Sequence, residues 1–359
     1  MNFYLNVIMG LASIVFFGTE GLWAKSGGEK NGRDRLVIMS YNVENLFDAT
    51  HDEGKDDYAF LPKQKKKSLE HQEYCRALRK TKARKECELF DWSEDAVKEK
   101  LKRVAKVILG DKDGQGADLM VLQEVENKAI LETLRKDYLQ KGQYQPAILV
   151  EGTDPRGIDI GIITRLQVVQ GPTLHAIPSK DRKKKTKDLR GILEVTVELP
   201  SKELLTVFGV HLPAPYNPRA LRADVLDFLQ EVANRVPKDR MVVVGGDFNT
   251  TKEEDERYEI FKNLNEKGWL VSHRIGCSNC IGTQYFRPRK SWSFLDIILL
   301  SSNLGEQGKS PWRVDHKSIR VIRDIDSQLD KDGYPIGFVA IGRPGVSDHL
   351  PIVVELQRR

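Results

Sequence analysis

The chain has 359 residues, a formal net charge of +5 and a mean hydropathy of −0.44. That length suits one large domain or two small ones, and that hydropathy excludes a polytopic membrane protein. Four cysteines exclude a small disulfide-built scaffold, and 40% hydrophobic content excludes a disordered chain.

Residues Phe3 to Phe17 are almost uniformly apolar, and no charged side chain precedes Glu20. The run is short for a membrane span, which needs roughly 20 residues. It suits the apolar core of a secretory signal peptide, with Ala24 as a small residue at a cleavage point. No Lys or Arg precedes the run, which departs from the usual signal. The reading is residues 1–24 as signal peptide, 25–34 as a Gly-rich charged linker and 35–359 as one domain. The protein is then exported, to a periplasm or the extracellular space; the alternative is an uncleaved N-terminal anchor.

From residue 35 short β-branched apolar runs alternate with amphipathic stretches. Residues 36–39, 119–122, 158–163, 192–199, 204–210, 241–244, 294–300 and 352–356 read as strands. Ser93 caps a helix whose Val97, Leu101, Val104, Ala105 and Ile108 keep helical spacing up to Gly110. Asn127 starts a second helix, and Asn217 followed by Pro218 caps a third that runs to about Arg235. Few helices, and two strands in direct succession over 192–210, predict an α+β fold with mixed sheets.

Basic charge is concentrated in two segments. Residues 63–87 hold ten Lys/Arg against three Glu, a net +7. Residues 181–190 hold six against two Asp, a net +4. Such runs suit contact with an anionic polymer, although a lone run is commonly a solvated loop. The first lies in a polar, basic insertion over 50–92, with no apolar lid evident. In an exported protein, Cys75 with Cys87 and Cys277 with Cys280 are the simplest disulfide pairing. A zinc site using all four lacks the usual paired spacing.

The acids and amides are the informative residues, because they fall at the ends of apolar strands. Asn42 and Glu44 follow Leu-Val-Ile-Met, Glu124 follows Val-Leu-Gln, and His211 follows Phe-Gly-Val. Asp247 and Asn249 follow Val-Val-Val-Gly-Gly, Asp159 lies in Gly-Ile-Asp-Ile-Gly, and Asp348 and His349 precede the last strand. Asp296 sits between Leu295 and Ile297, so its charge must be paired or bind a metal. One such residue is ordinarily a turn former or a cap; seven such strand ends in one chain are hard to account for that way.

In order, Tyr-Asn42-Val-Glu, Leu-Gln-Glu124-Val, Val-His211-Leu-Pro-Ala-Pro, Gly-Gly-Asp247-Phe-Asn249-Thr, Leu-Asp296-Ile-Ile and Ser-Asp348-His349-Leu-Pro span residues 36–356. With them the chain resembles the endonuclease/exonuclease/phosphatase superfamily of Mg²⁺-dependent phosphodiesterases and phosphatases. The resemblance implies a four-layer αββα sandwich, two mixed sheets face to face with helices outside and the active site at one edge. It also implies Mg²⁺, for which Mn²⁺ can substitute, held by Glu124 with Asn42 and Asp348. Asp247 then orients or deprotonates water, Asn249 donates to phosphate, and His349, held by Asp296, contacts phosphate or moves a proton. His211 would be oriented by Asp159, and Arg190 would contact phosphate.

The function expected is a secreted nuclease acting on DNA or RNA, a monomer without a stable protein partner. The alternative is a phospholipid or sugar-phosphate phosphodiesterase or phosphatase. A non-catalytic module is disfavoured, since every expected catalytic side chain is present.

Overall fold

The computed structural model describes residues 34–111, 114–178, 189–325, 327–339 and 341–359. The apolar N-terminal run, the linker and Lys183–Lys187 lie outside the described residues. Among the described residues, no helix is long and apolar enough to cross a membrane.

Two six-stranded mixed sheets carry the fold. The first is built from β1 (Arg35–Leu46), β2 (Leu119–Val125), β3 (Ile148–Leu149), β4 (Asp159–Thr164), β13 (Trp312–Val321) and β14 (Ile352–Arg358), in the order β13-β14-β1-β2-β4-β3. The second is built from β5 (Gln167–His175), β6 (Ile192–Glu198), β7 (Leu204–His211), β8 (Met241–Asp247), β9 (Trp269–Val271) and β12 (Asp296–Ser301), in the order β5-β6-β7-β8-β12-β9. A separate hairpin joins β10 (Gln284–Phe286) to β11 (Ser291–Ser293).

Period-two alternation splits each strand between two apolar layers. In β1, Leu36 and Ile38 face the inter-sheet core with Val121, Ile160, Val207, Val243 and Ile298. Val37 and Met39 face outward against the helix Glu94–Leu109, through Leu101, Val104 and Ile108. The second sheet is covered on its outer face by the helix Arg219–Ala233, through Val225 and Leu229. These layers bear out the four-layer αββα sandwich. The sheets approach most closely near one edge, where a Cβ on Gly209 would lie 2.5 Å from Ile160 and one on Gly245 3.0 Å from Val121.

The expected helices form, with one correction. Ser93 and Asn127 accept hydrogen bonds from Ala96 N and Ile130 N as N-caps. Asn217 does not cap the third helix; Pro218 occupies that position, without a side-chain cap. The insertion holds α1 (Leu69–Ala77) and α2 (Thr81–Leu89), joined by the Cys75–Cys87 disulfide. Cys277 and Cys280 form the second disulfide, so no cysteine is free and the all-cysteine zinc reading fails. Within the insertion over 50–92, Phe60, Phe90 and Trp92 pack together.

Candidate active site

Strand direction explains why residues from different strand ends meet. β1 runs parallel to β2, and β7 parallel to β8, so Asn42, Glu124, His211 and Asp247 come from the carboxyl ends. β4 and β12 run antiparallel to their neighbours, so Asp159 and Asp296 reach the same edge from amino ends. Asp247 lies opposite His211 on one side and Asp296 on the other.

The backbone is bent at this edge. Glu44, Asn45, Glu124 and Asn249 have φ of 51, 56, 62 and 47°, a left-handed conformation that costs non-glycine residues on the order of 1–3 kcal/mol each. Register shifts between Asn42 and Leu46 and between Gln123 and Val125 accompany it. The bends turn Glu124 into the space between the sheets, where Asn45 N donates to its Oε2 at 3.1 Å. Asn249 departs from the extended segment the sequence suggests. Its N donates to Asp247 Oδ1 at 2.8 Å and its Nδ2 to Leu212 O at 2.9 Å.

Asn42 ties the two sheets together. Its Nδ2 lies 3.0 Å from Asp247 Oδ2 and 3.5 Å from Glu124 Oε1, while its Oδ1 accepts from Glu44 N at 2.9 Å. In this arrangement Asn42 bridges two carboxylates with its amide hydrogens rather than offering its oxygen to a cation. His211 Nε2 approaches the same two oxygens, at 3.5 Å from Asp247 and 4.0 Å from Glu124.

His349 and Asp296 pair as expected, Nδ1 to Oδ2 at 2.7 Å, with Asp296 fully buried. Asp296 N donates to Thr283 Oγ1 at 3.0 Å, and its Oδ1 has no partner. Burial opposes a charge on His349, but Asp296, Asp348 and Asp247 outweigh it and hold the ring's pKa well above the usual value. Burial sets His211 the opposite way, well below the usual value, and Arg190 and Arg156 add to it. Burial pushes Asp247 up to about 7.

Two expected placements are corrected. Asp159 does not orient His211: its Oδ1 accepts from Gly152 N at 2.8 Å, and His211 Nδ1 is buried without a partner. Asp159 stands opposite Val125 on the first sheet and turns to Gly152, although that sheet does reach His211 through Glu124 at 4.0 Å. Arg190 is not displayed to solvent. It is 8% exposed, with Nε 3.0 Å from the buried Asp154 Oδ2, so its charge acts on the site from behind the wall.

The structure gives Glu44, singled out in the sequence without a role, a place in the site and adds Arg156 and Lys100. Glu44 Oε2 accepts from Asp348 N at 3.2 Å, and burial with the nearby Asp348 drives its pKa well above the usual carboxylate range. Glu44 lies two positions after Asn42, where its φ of 51° and the register shift break the period-two alternation of the strand. Arg156 reaches Asn45 Oδ1 at 2.9 Å and Glu124 Oε2 at 3.9 Å. Together with His349, Arg190 and Asn42 it outweighs burial and holds Glu124 below its usual pKa. Lys100 is fully buried, donates to Val346 O and faces Glu44 and Asp348; burial brings it down to about 8. The signal for Lys100 is its place between Val97 and Leu101 on the apolar face of its helix.

These donors fit a hard divalent cation. Glu44, Glu124, Asp247, Asp296 and Asp348 put five carboxylates at one edge, where burial first, and neighbouring carboxylates after it, raise the pKa of Glu44 and Asp247. Oxygen-rich sets of this kind bind Mg²⁺ or Mn²⁺. Ligand atoms of Asp247, Asp296 and His349 lie within 4.8 Å of one another. Glu124, Asp348 and Glu44 each offer carboxylate oxygens to such an ion. The other such group, His71 with Cys75 and Cys87, has its sulfurs in the disulfide.

The sequence profile of the Endonuclease/Exonuclease/phosphatase family matches residues 81–358. No curated protein matches the chain's sequence. Among solved structures, an endonuclease/exonuclease/phosphatase family protein from Bacteroides thetaiotaomicron superposes with a TM-score of 0.56 at 15% identity, over 90% of this chain and 98% of that one. A humanized D. rerio TDP2 gives 0.54 at 18% identity, over 90% of this chain and 99% of that one. A mannosyl-6-phosphatase from Bacteroides thetaiotaomicron gives 0.54 at 16% identity, over 89% of this chain and 99% of that one. At these identities the likeness establishes a shared fold.

Proposed function

The chain belongs to the Endonuclease/Exonuclease/phosphatase family, whose members are phosphoester hydrolases that generally use divalent metal ions, and we propose that it is an exported, Mg²⁺-dependent nuclease. The observation that carries the reading is the meeting of a protonated His349–Asp296 pair, a raised Asp247 and the Glu124–Asn42 bridge at one edge. Bound at Glu124, Asp348 and Glu44, the ion would neutralise phosphate oxygens.

The chain's own residues do the rest. Asp247 accepts a proton from the water that attacks phosphorus, and its raised pKa suits a base near neutral pH. His349 gives the Nε2 proton to the departing oxygen while Asp296 steadies the cation at Nδ1. His211, neutral, donates from Nε2 toward Asp247 and Glu124 and orients them. Asn249, which lines the cleft beside His349, presents its amide to phosphate.

Nucleic acid is favoured over a single small phosphate by the free arginines that line the cleft leading to His349. Of the fold neighbours, one is a TDP2 complexed with single strand DNA product and another a mannosyl-6-phosphatase, so the fold itself admits both substrate types. The test is a panel of DNA, RNA, sphingomyelin and a phosphomonoester, each with Mg²⁺ and with chelator. Nucleic acid is cut only with metal, and Glu124→Gln lowers that rate by at least ~10²-fold. Full activity in excess chelator would overturn the metal assignment; turnover of the lipid or monoester alone would overturn the nuclease.

A further inference from the structure

The insertion is held to itself at one point. His71 and Cys75 lie four positions apart on α1, hence on one face of that helix, and Cys87 meets them from α2. Both cysteines are fully buried and His71 is 2% exposed. Ligand atoms of the three residues lie within 4.8 Å of one another, with His71 Nε2 3.1 Å from Cys75 Sγ. On the far side of this junction Phe60, Phe90 and Trp92 line an aromatic cleft of about 730 Å³ that reaches Glu44 and Asp348.

The histidine is more than the disulfide needs. Its Nδ1 is buried without a partner, and its Nε2 bonds Cys87 O at 3.1 Å. That carbonyl also accepts from Lys66 Nζ at 2.8 Å, so it keeps a donor when the ring turns elsewhere. A smaller cleft, of about 250 Å³, leads to the ring past Arg76 and Glu88. Of the two donor groups among the described residues, this one alone contains sulfur. Two thiolates and an imidazole are a set for Zn²⁺, whereas the carboxylates of the catalytic edge suit Mg²⁺. The Cα atoms of Cys75 and Cys87 are 5.6 Å apart. That spacing lets the sulfurs open to the roughly 3.8 Å that two Zn–S bonds of about 2.3 Å require at a tetrahedral angle.

We propose that His71, Cys75 and Cys87 are a second metal site, which takes Zn²⁺ when the disulfide is reduced. α1 and α2 are then joined by a bond in oxidising surroundings and by an ion in reducing ones. A dithiol reductant supplies the two electrons that break the sulfur–sulfur bond. It closes to its own disulfide, its two protons go to solvent, and Cys75 and Cys87 remain as thiolates. Two thiolates, a neutral imidazole and Zn²⁺ sum to no net charge, which suits a buried place. The fourth position faces the smaller cleft, where water or the Glu88 carboxylate completes the tetrahedron. The inference stands apart from the nuclease reading, because no residue of the catalytic edge takes part.

The experiment uses the full-length chain with Cys277→Ser and Cys280→Ser, so that only one cysteine pair is present. It is prepared oxidised and reduced, with Mg²⁺ in excess, and Co²⁺ is the probe. The reduced protein shows the near-ultraviolet band of cobalt bound to thiolate and the visible bands of a tetrahedral ion; one equivalent of Zn²⁺ abolishes both. The oxidised protein shows neither, since carboxylates at the catalytic edge give no thiolate band. His71→Ala weakens cobalt binding by at least ~10-fold, since even a partner outside the ligand set is worth that much. A melting temperature that Zn²⁺ raises in the reduced protein, and leaves alone in the oxidised one, supports the site without any substitution at it. A reduced protein without the thiolate band, or one that stays unfolded with Zn²⁺ present, overturns the proposal. An unchanged cobalt affinity in His71→Ala removes the histidine and the site with it.

Discussion

His349, just ahead of β14 in one sheet, holds Asp296 through Nδ1, while His211, at the end of β7 in the other, leaves Nδ1 without a partner. The two rings are almost equally buried, 8 and 6% exposed, so loss of water does not separate them. Burial disfavours a charge on both. Around His349, Asp296, Asp348 and Asp247 outweigh burial and the ring stays protonated; around His211 burial prevails, with Arg190 and Arg156 adding to it, and the ring stays neutral beside Asp247 and Glu124. One edge thus presents a proton donor and a neutral hydrogen-bond donor from the same residue type, and the neighbour, not the burial, assigns the role.

Removing the neighbour should have the largest effect. Asp296→Asn leaves His349 in place but without the anion that keeps it charged, and kcat should fall ~10²–10³-fold, the usual size of a lost acid–base contribution. The alkaline limb of the pH–rate profile should move to lower pH, since the ring gives up its proton sooner. A profile that keeps its alkaline limb would break the contrast between the two rings.

His211 tests the other half. His211→Ala should cost roughly 10²-fold in kcat and His211→Gln roughly tenfold, because an amide can still donate toward Asp247 and Glu124 while moving no proton. Asp159→Asn should cost less than about threefold, since Asp159 serves Gly152 and not His211. If glutamine were as damaging as alanine, His211 would be transferring a proton and the two rings would be alike.

Asp247 links the edge to pH. The native fold holds its pKa near 7 against 3.8 in the unfolded chain, so the folded protein keeps a proton that the unfolded chain has lost. Without metal, this group makes stability fall as pH rises from about 4 to 7. A divalent ion bound beside it favours the ionised carboxylate, so Mn²⁺ affinity should rise with pH up to about 7. Thermal shifts with Mn²⁺ at pH 5.5 and 8 measure this, and Asp247→Asn should flatten the dependence while raising the melting temperature of the metal-free protein at pH 8.

The edge was legible in the sequence because its chemistry depends on sheet residues. Asn42, Glu124, His211, Asp247, Asp296 and His349 each end or begin a buried apolar run, where a charged or polar side chain is costly unless a partner or an ion receives it. The pairing of Asp159 with His211 failed because a strand end does not reveal which neighbour its side chain turns to: Asp159 Oδ1 accepts from Gly152 N, in the loop ahead of its own strand. The clefts were not legible. Arg219, Arg257 and Arg289 are scattered, exposed arginines in sequence, and only the helix Lys252–Tyr258 and the β10–β11 hairpin bring them together. That helix had a signal, Thr251 followed by Glu254, whose N donates to Thr251 Oγ1 at 3.2 Å.

The insertion lies away from both histidines, so disturbing it should have the smallest effect and leave their contrast untouched. The Cys75–Cys87 disulfide closes a loop of 12 residues between α1 and α2. A loop of that size contributes up to about 3 kcal/mol in the chain-entropy picture, confined to its own segment. Beneath the disulfide, Lys66 Nζ donates to Cys87 O at 2.8 Å, and beyond it Phe60, Phe90 and Trp92 line the aromatic cleft. Replacing both cysteines by serine should loosen those rings and change kcat less than about threefold. Neither limb of the pH–rate profile should move, because no group facing His349 or His211 changes. Mass spectrometry of the unreduced parent should find no free thiol and only the two local crosslinks. A shifted pH profile in the serine variant would mean that the insertion reaches the charge balance of the edge.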